Sequence, residues 1–340
     1  MMDLCVAGGG PVGLATALYA AREGLEVVVR EPRPGPVDKA CGEGLMPGAV
    51  ADLAALGVDP EGHRIAGIAY VDGRHRVETA FRRGDGRGVR RTVLHAALLD
   101  AAVAAGVKIE ERPVERVDNR HDHVLVDGDP AAYLVAADGL HSRIRRMVGA
   151  ERPQLRHRRH GLRAHAEVAP WTPYVEVHWA AASEAYVTPV GPGLVGLAML
   201  TDRSATFPDL LAEHTELAER FAGATWSKVR GAGPLRQRAS RRVVGRTLLV
   251  GDAAGYVDAI TGEGIALGLA QARAAVAAVV AGSPDDYEAA YRRLGRRHEL
   301  LTHALLASSR VQMVRRRIVP AASRLPWAFD AAVDQLARPV

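Results

Sequence analysis

Three groups of residues in this sequence have the types and spacing to hold a cofactor. The first is Gly8-x-Gly10-x-x-Gly13 with Glu31 beyond it. Glycines so spaced make a tight turn, let backbone N–H groups reach a pyrophosphate, and allow a helix to pack closely on a strand. Pro11 and Val12 open that helix, where the missing N–H of proline costs nothing. Glu31 lies where a carboxylate accepts hydrogen bonds from an adenosine ribose. The second group, Asp138-Gly139, is a common turn, and gains meaning only at the same end of a parallel sheet as the first glycines. The third is Gly251-Asp252, followed by Gly262, Gly264 and Ile265. Asp252 can accept from polyol hydroxyls, and a helix N-terminus at Gly262 to Ile265 would turn free N–H groups and a positive dipole end toward an anion such as a reduced flavin ring.

Two further places carry reactive groups. Arg91, at the head of a helix, can reach phosphate or ribityl oxygens, or is an ordinary surface arginine. The loop Pro32 to Pro47 contains Cys41-Gly42-Glu43-Gly44-Leu45. Its glycines permit close approach to a flat ring. Cys41 is either a reactive thiol, even a covalent attachment point, or a packing cysteine, and Glu43 is either an acid/base group or a solvated loop carboxylate.

These residues need elements to position them. Leu4 to Ala7 reads as a strand, Val12 to Arg22 as a helix stopped by Gly24, and Glu26 to Val29 as a second strand. Ile65 to Val71 and Arg74 to Ala80 read as a hairpin around Asp72-Gly73, which leaves the strand–helix–strand pattern and enters an antiparallel layer. Arg91 to Gly106 returns to an amphipathic helix. Tyr174 to Ala180, Ala185 to Val190 and Leu194 to Leu200 read as strands bearing Trp171, Tyr174, Trp179 and Tyr186, either a wall for an apolar ligand or ordinary core. From Asp285 onward the chain is helical and rich in arginine, a cap over the two domains rather than a third one.

Composition narrows the class. With 340 residues the chain exceeds a single core, and 48% hydrophobic with 24% charged residues is the balance of a soluble globular protein. The first strand starts too early for a signal peptide. Ile265 to Ala281 is the most apolar stretch, but Gln271 and Arg273 make it a buried helix. Two cysteines, Cys5 and Cys41, imply no disulfide framework, a reducing cytoplasm and, with no metal-ligand spacing among the histidines, no metal. The net charge of +5 is carried by arginine, and runs such as Arg315 to Arg317 read as solvated helix faces, so no nucleic-acid partner is expected. The basic, amphipathic run Arg310 to Val319 permits membrane-surface contact but reads first as a solvated helix.

Taken together, Gly8/Gly10/Gly13/Glu31, Arg91, Asp138-Gly139 and Gly251-Asp252 with the second glycine cluster resemble the para-hydroxybenzoate hydroxylase-like class of FAD-dependent oxidoreductases over residues 2 to 280. The Cys41 loop combined with Gly251-Asp252-Ala253-Ala254-Gly255 and Thr261-Gly262-Glu263-Gly264 is more similar to its geranylgeranyl reductase-like branch, which also contains proteins named as monooxygenases. The resemblance implies an α/β fold. A Rossmann-type FAD-binding domain (1–63, 84–150 and 236–284) is interleaved with an antiparallel-sheet substrate domain (64–83 and 151–235), followed by a helical segment (285–340). It implies FAD, with NADPH or NADH as a transient reductant because no second fingerprint exists, and a small apolar or aromatic substrate. Two reactions follow: oxygenation through a flavin hydroperoxide, favoured because this fold hosts it more often, or reduction of a carbon–carbon double bond with Cys41, Glu43 or Tyr186 as the acid. A flavin-fold binding protein without turnover is the remaining alternative.

Overall fold

The computed structural model describes residues 1–153, 159–310, 312–315 and 317–338. The first strand, Met2–Ala7, is buried along most of its length and lies at the centre of a mixed sheet whose inner strands are parallel. Val27–Arg30 flanks it on one side and Asp129–Ala136 on the other, both parallel. Lys108–Glu110 extends the sheet beyond Val27–Arg30, and Thr247–Leu249 pairs in parallel with Asp129–Ala136. Strands buried on both faces read as continuous apolar runs such as LCVA and LVA, because helices cover a parallel sheet on either side.

The covering helices are Pro11–Arg22, Arg91–Ala104 and Gly264–Val280. Small residues set how closely they pack. A side chain at Gly13 would put its Cβ 1.9 Å from the carbonyl oxygen of Gly8, and one at Gly268 would meet Val12 at 2.4 Å. Val12 is thus the packing wedge between two helices. No helix among the described residues is long and apolar enough to cross a membrane, and Gly264–Val280 is largely buried against the sheet.

A second sheet runs in the order Arg230–Ala232, His160–Ala166, Leu194–Thr201, Ser183–Gly191, Tyr174–Trp179, Gly67–Val71, Arg76–Ala80. It is antiparallel except where Tyr174–Trp179 meets Gly67–Val71 in parallel. The hairpin read from Asp72-Gly73 is its edge. A small third sheet joins Gly44–Leu45, Gly86–Gly88 and His63–Ile65, where the chain passes between the two large sheets.

The aromatic wall is not one surface. Side chains alternate along a strand, so Tyr174 and Trp179 point to opposite faces. Tyr186 pairs in register with Val177 and shares the face of Trp179. Trp171 packs instead with Phe221 in a cluster against the short helices Phe207–Ala212 and Thr215–Arg220. The C-terminal segment covers the Trp179 face: Leu306, Val319, Phe329 and Val333 pack with Ile68, Val77, Val177 and Trp179. Of the residues singled out in that segment, Val311 and Arg316 lie outside the described residues.

Candidate functional site: a dinucleotide groove at the sheet's C-terminal edge

Parallel register brings the three glycine and aspartate turns together. Ala7 is level with Ala136, and Ala136 with Leu249, so the chain leaves all three strands side by side at Gly8, Ala137 and Val250. Gly8 has φ of +103°, and a Cβ there would stand 2.5 Å from the carbonyl oxygen of Ala137. Asp138-Gly139 therefore does lie at the same end as the first glycines, where ligands bind in open parallel sheets.

The groove is lined with groups that anticipate a nucleotide. Gly10 precedes Pro11 at the uncapped start of its helix, and a Cβ at Gly10 would meet only the Arg91 guanidinium, at 3.7 Å. Glu31 accepts from the backbone N–H of Gly9 at 2.9 Å and from Arg33 Nε at 2.6 Å. Burial raises the Glu31 carboxyl, but Arg33 and Gly9 outweigh it and the net shift is downward. Asp252, in the turn Gly251–Ala254, is pushed up by burial while Arg91, Lys39 and Arg145 pull it down. Gly264–Val280 starts without a side-chain cap, and Gly262 enters it with φ of +71°.

Orphaned atoms test whether FAD fits. Arg91 Nε and Asp138 Oδ1 are shielded from solvent without a hydrogen-bond partner, although Asp138 Oδ2 accepts from Ile144 N at 3.1 Å. Lys39, which sequence reasoning passed over, has Nζ 3.3 Å from where a Cβ of Gly139 would lie. Burial depresses its ammonium, and Arg33 and Arg91 add to the effect. Cations that repel one another around a glycine cradle suit a diphosphate, and the residues present fit FAD.

Arg145 was also missed. Fully buried, it donates to the carbonyls of Ala253 (3.0 Å) and Leu140 (3.2 Å) and to Gln237 Oε1 (3.1 Å), tying the second and third turns together. Its position inside an arginine-rich run, Arg143 to Arg146, concealed it. Glu263 was read only as part of a glycine cluster. It is buried and hydrogen-bonded to His298 Nδ1 at 3.0 Å, which fastens the C-terminal helix Asp286–Arg310 to the glycine turn.

The proposed acids fare differently. Glu43 is not a solvated loop carboxylate: it is buried with φ of +60°, Oε1 accepts from Arg91 N at 2.8 Å, and Oε2 lies 2.6 Å from His165 Nε2. Glycines on both sides made an exposed loop the natural expectation, but the segment is pressed between the helix Arg91–Ala104 and the second sheet. Tyr186 donates its hydroxyl to Ile260 O at 3.2 Å, and burial pushes the phenol well above its usual range. Cys41 is half-buried, and burial raises its thiol while Arg91 opposes the shift. Burial raises the Tyr256 hydroxyl as well, and the charges of Asp252, Asp258 and Cys41 add to the rise.

Comparison with known proteins agrees with the groove. The chain is 29% identical to the menaquinone reductase of Mycolicibacterium smegmatis, across 87% of its length and 80% of that protein. It is 27% identical to digeranylgeranylglycerophospholipid reductase 2 of Methanopyrus kandleri, across 85% and 80%. A flavin-dependent brominase of 17% identity shares the fold, with a TM-score of 0.82 over 99% of this chain and 93% of that one. Residues 1–286, which contain every turn of the groove, match the family described as FAD binding domain, and the chain belongs to that family of flavoprotein oxidoreductases.

Proposed function

We propose that this protein is an FAD-dependent reductase that adds hydrogen across a carbon–carbon double bond of a long apolar molecule, with NADPH or NADH as reductant. The observation that carries the reading is Cys41, whose thiol sits half-buried in a glycine loop fixed by Glu43, with the Glu43 N–H donating to Sγ at 3.4 Å and burial raising the thiol. Two relatives spanning most of the chain are reductases by name, of menaquinone and of a digeranylgeranylglycerophospholipid, which supports reduction over the oxygenation otherwise common on this fold.

FAD, when bound, supplies the hydride. Every other task falls to the chain. Backbone N–H groups after Gly8 and Gly10 would hold the diphosphate, Glu31 the ribose, Arg91 and Asp252 the stretch between them, and the N-terminus of Gly264–Val280 would favour an anionic ring. The apolar cluster of Ile68, Val177, Trp179 and Ile260 under the C-terminal helices excludes water from an alkene. Sγ of Cys41 would hold the proton that the second carbon of the double bond takes up, and would regain one from solvent before the next turnover. Glu43 and Tyr186 have their polar atoms engaged within the protein and serve to position the loops that carry Cys41 and Ile260. Exposed Leu300, Met313 and Trp327 on the C-terminal helices suit approach to the lipid surface where such a substrate resides.

The test uses the FAD-loaded protein, reduced anaerobically, and mixed either with menaquinone or with air-saturated buffer. Menaquinone that gains two hydrogens at a side-chain double bond, read by mass after the quinone ring is reoxidised in air, with the gain lost in Cys41→Ala, is the expected result. Rapid reoxidation by air with an oxygen atom entering an added aromatic substrate would overturn the reading in favour of a monooxygenase.

A further inference from the structure

A second cavity, of about 360 Å³, opens behind the third turn. It meets the flavin groove along the third turn, at Gly251, Asp252, Tyr256 and Gly264, and its walls are the segment around Arg236 to Arg242, the helix Asp286–Arg310 and the part of Gly264–Val280 that carries Leu267 and Gln271. None of the residues of the first fingerprint lines it.

Its chemistry is cationic. Arg152, Arg238 and Arg242 line it, against the carboxylates of Glu299 and, at the inner end, Asp252. Arg242 stacks on Tyr291 at 4.3 Å and approaches Glu288 at 3.8 Å, yet its Nε is shielded from solvent with no hydrogen-bond partner. Arg152 and Arg238 make no side-chain ion pair among the described residues, although the protein elsewhere pairs its arginines freely. Guanidinium groups lining a concave space, two of them without an ion pair among the described residues, suit a phosphate, whose oxygens match their fork geometry.

The backbone also keeps the space open. Gly295 is buried inside the helix Asp286–Arg310, where glycine costs about 1 kcal/mol relative to alanine. Packing does not demand it: an added Cβ would meet nothing nearer than Glu299 Oε1, at 3.5 Å. A helix-interior glycine that faces a void rather than a neighbour leaves room for something the chain itself does not supply.

We propose that this cleft binds the phosphate-bearing end of an anionic ligand. Two sources share that chemistry: the phosphates of a reduced nicotinamide dinucleotide, and a phospholipid headgroup. The proposal holds for either reaction at the flavin.

Inorganic pyrophosphate is the probe, titrated calorimetrically into the FAD-loaded protein. Binding is expected to weaken by at least ~10-fold in the double variant Arg152→Ala/Arg238→Ala, and likewise in Gly295→Leu, which fills the space without removing charge. Unchanged visible flavin absorbance and circular dichroism certify the fold in each variant. Pyrophosphate that slows flavin reduction by NADPH assigns the cleft to the reductant, and pyrophosphate that releases the protein from phosphatidylglycerol vesicles assigns it to a headgroup. No binding, binding unaltered in both variants, or binding that competes with neither partner would overturn the proposal.

Discussion

Glu43 Oε2 and His165 Nε2 stand 2.6 Å apart, and they join the loop that carries Cys41 to the second sheet. The other oxygen of Glu43 caps the N–H of Arg91, so one carboxylate fixes a cofactor helix, a flexible loop and the substrate sheet. Around it, Arg163 donates to the carbonyl of Lys39 at 2.9 Å and pairs with Asp38, which also accepts from Arg230 at 3.0 Å.

This clamp predicts strong coupling. Glu43→Gln and His165→Gln, alone and together, should show a coupling free energy on the order of 1–3 kcal/mol in denaturant unfolding. Glu43→Ala, which leaves Arg91 N and His165 unmatched, should cost on the order of 3 kcal/mol. An additive double mutant would sink the idea that the pair acts as a unit.

Gly13 makes a sharper prediction about the cofactor. Its missing side chain is what lets the helix Pro11–Arg22 close on Gly8, since a Cβ would lie 1.9 Å from a backbone oxygen that cannot move aside. Gly13→Ala should yield protein without bound flavin, read as lost visible absorbance. Gly10→Ala, whose Cβ would meet only the end of the Arg91 side chain, should retain FAD more weakly.

The cofactor site was legible in the sequence because its chemistry is local. Each turn follows its own strand, and glycine types at fixed spacing report close backbone approach before any fold is known. The parallel register of Ala7, Ala136 and Leu249 then had only to bring three readable turns together. What was not legible depends on contacts between distant segments. Glu43 looked solvated because nothing near it in the chain signals His165, 122 positions away. Arg145 was hidden among other basic residues and Lys39 in a glycine- and proline-rich loop, and the four aromatic residues were divided by strand alternation and helix packing. The reaction was least legible, since an oxygenase and a reductase need the same groove.

Glu176, in the second sheet, sets an acid limit on stability. Burial pushes its carboxyl up, but hydrogen bonds from His178, Arg76 and Trp171 outweigh this and bring it down to about 2. A carboxyl depressed in the folded state stabilises above its unfolded value of about 4.3, and that stability is lost as pH falls from there toward about 2. The contribution is up to about 3 kcal/mol. Glu176→Gln should flatten the acid limb of a plot of unfolding free energy against pH between those values, and an unchanged limb would show that other carboxyls govern it.

Arg145 predicts a separation of cofactor binding from the first fingerprint. It holds the Asp138-Gly139 and Gly251-Asp252 turns at a common height without lining the diphosphate cradle. Arg145→Met should therefore raise the dissociation constant for FAD by at least ~10-fold while ADP, which needs only the first turn and Glu31, binds nearly as before. Equal loss of both ligands would mean that the substitution disrupts the whole sheet edge.

Cys41 offers the most direct look at the proposed proton donor. The thiolate is the nucleophile, so alkylation by iodoacetamide follows deprotonation. Burial raises this thiol and the Arg91 guanidinium resists the rise. The rate of Cys41 modification in the native protein should therefore reach its midpoint at a higher pH than an ordinary cysteine, about 8.5. Arg91→Met should move the midpoint higher still, because it removes the cation that most favours the thiolate and leaves only the Glu43 N–H and Arg163 to oppose burial. Cys5, buried on the first strand and pushed to about 12, should stay unmodified throughout and serves as the internal control. A midpoint of about 7 or lower would show a thiolate at neutral pH, which cannot donate the proton assigned to Cys41.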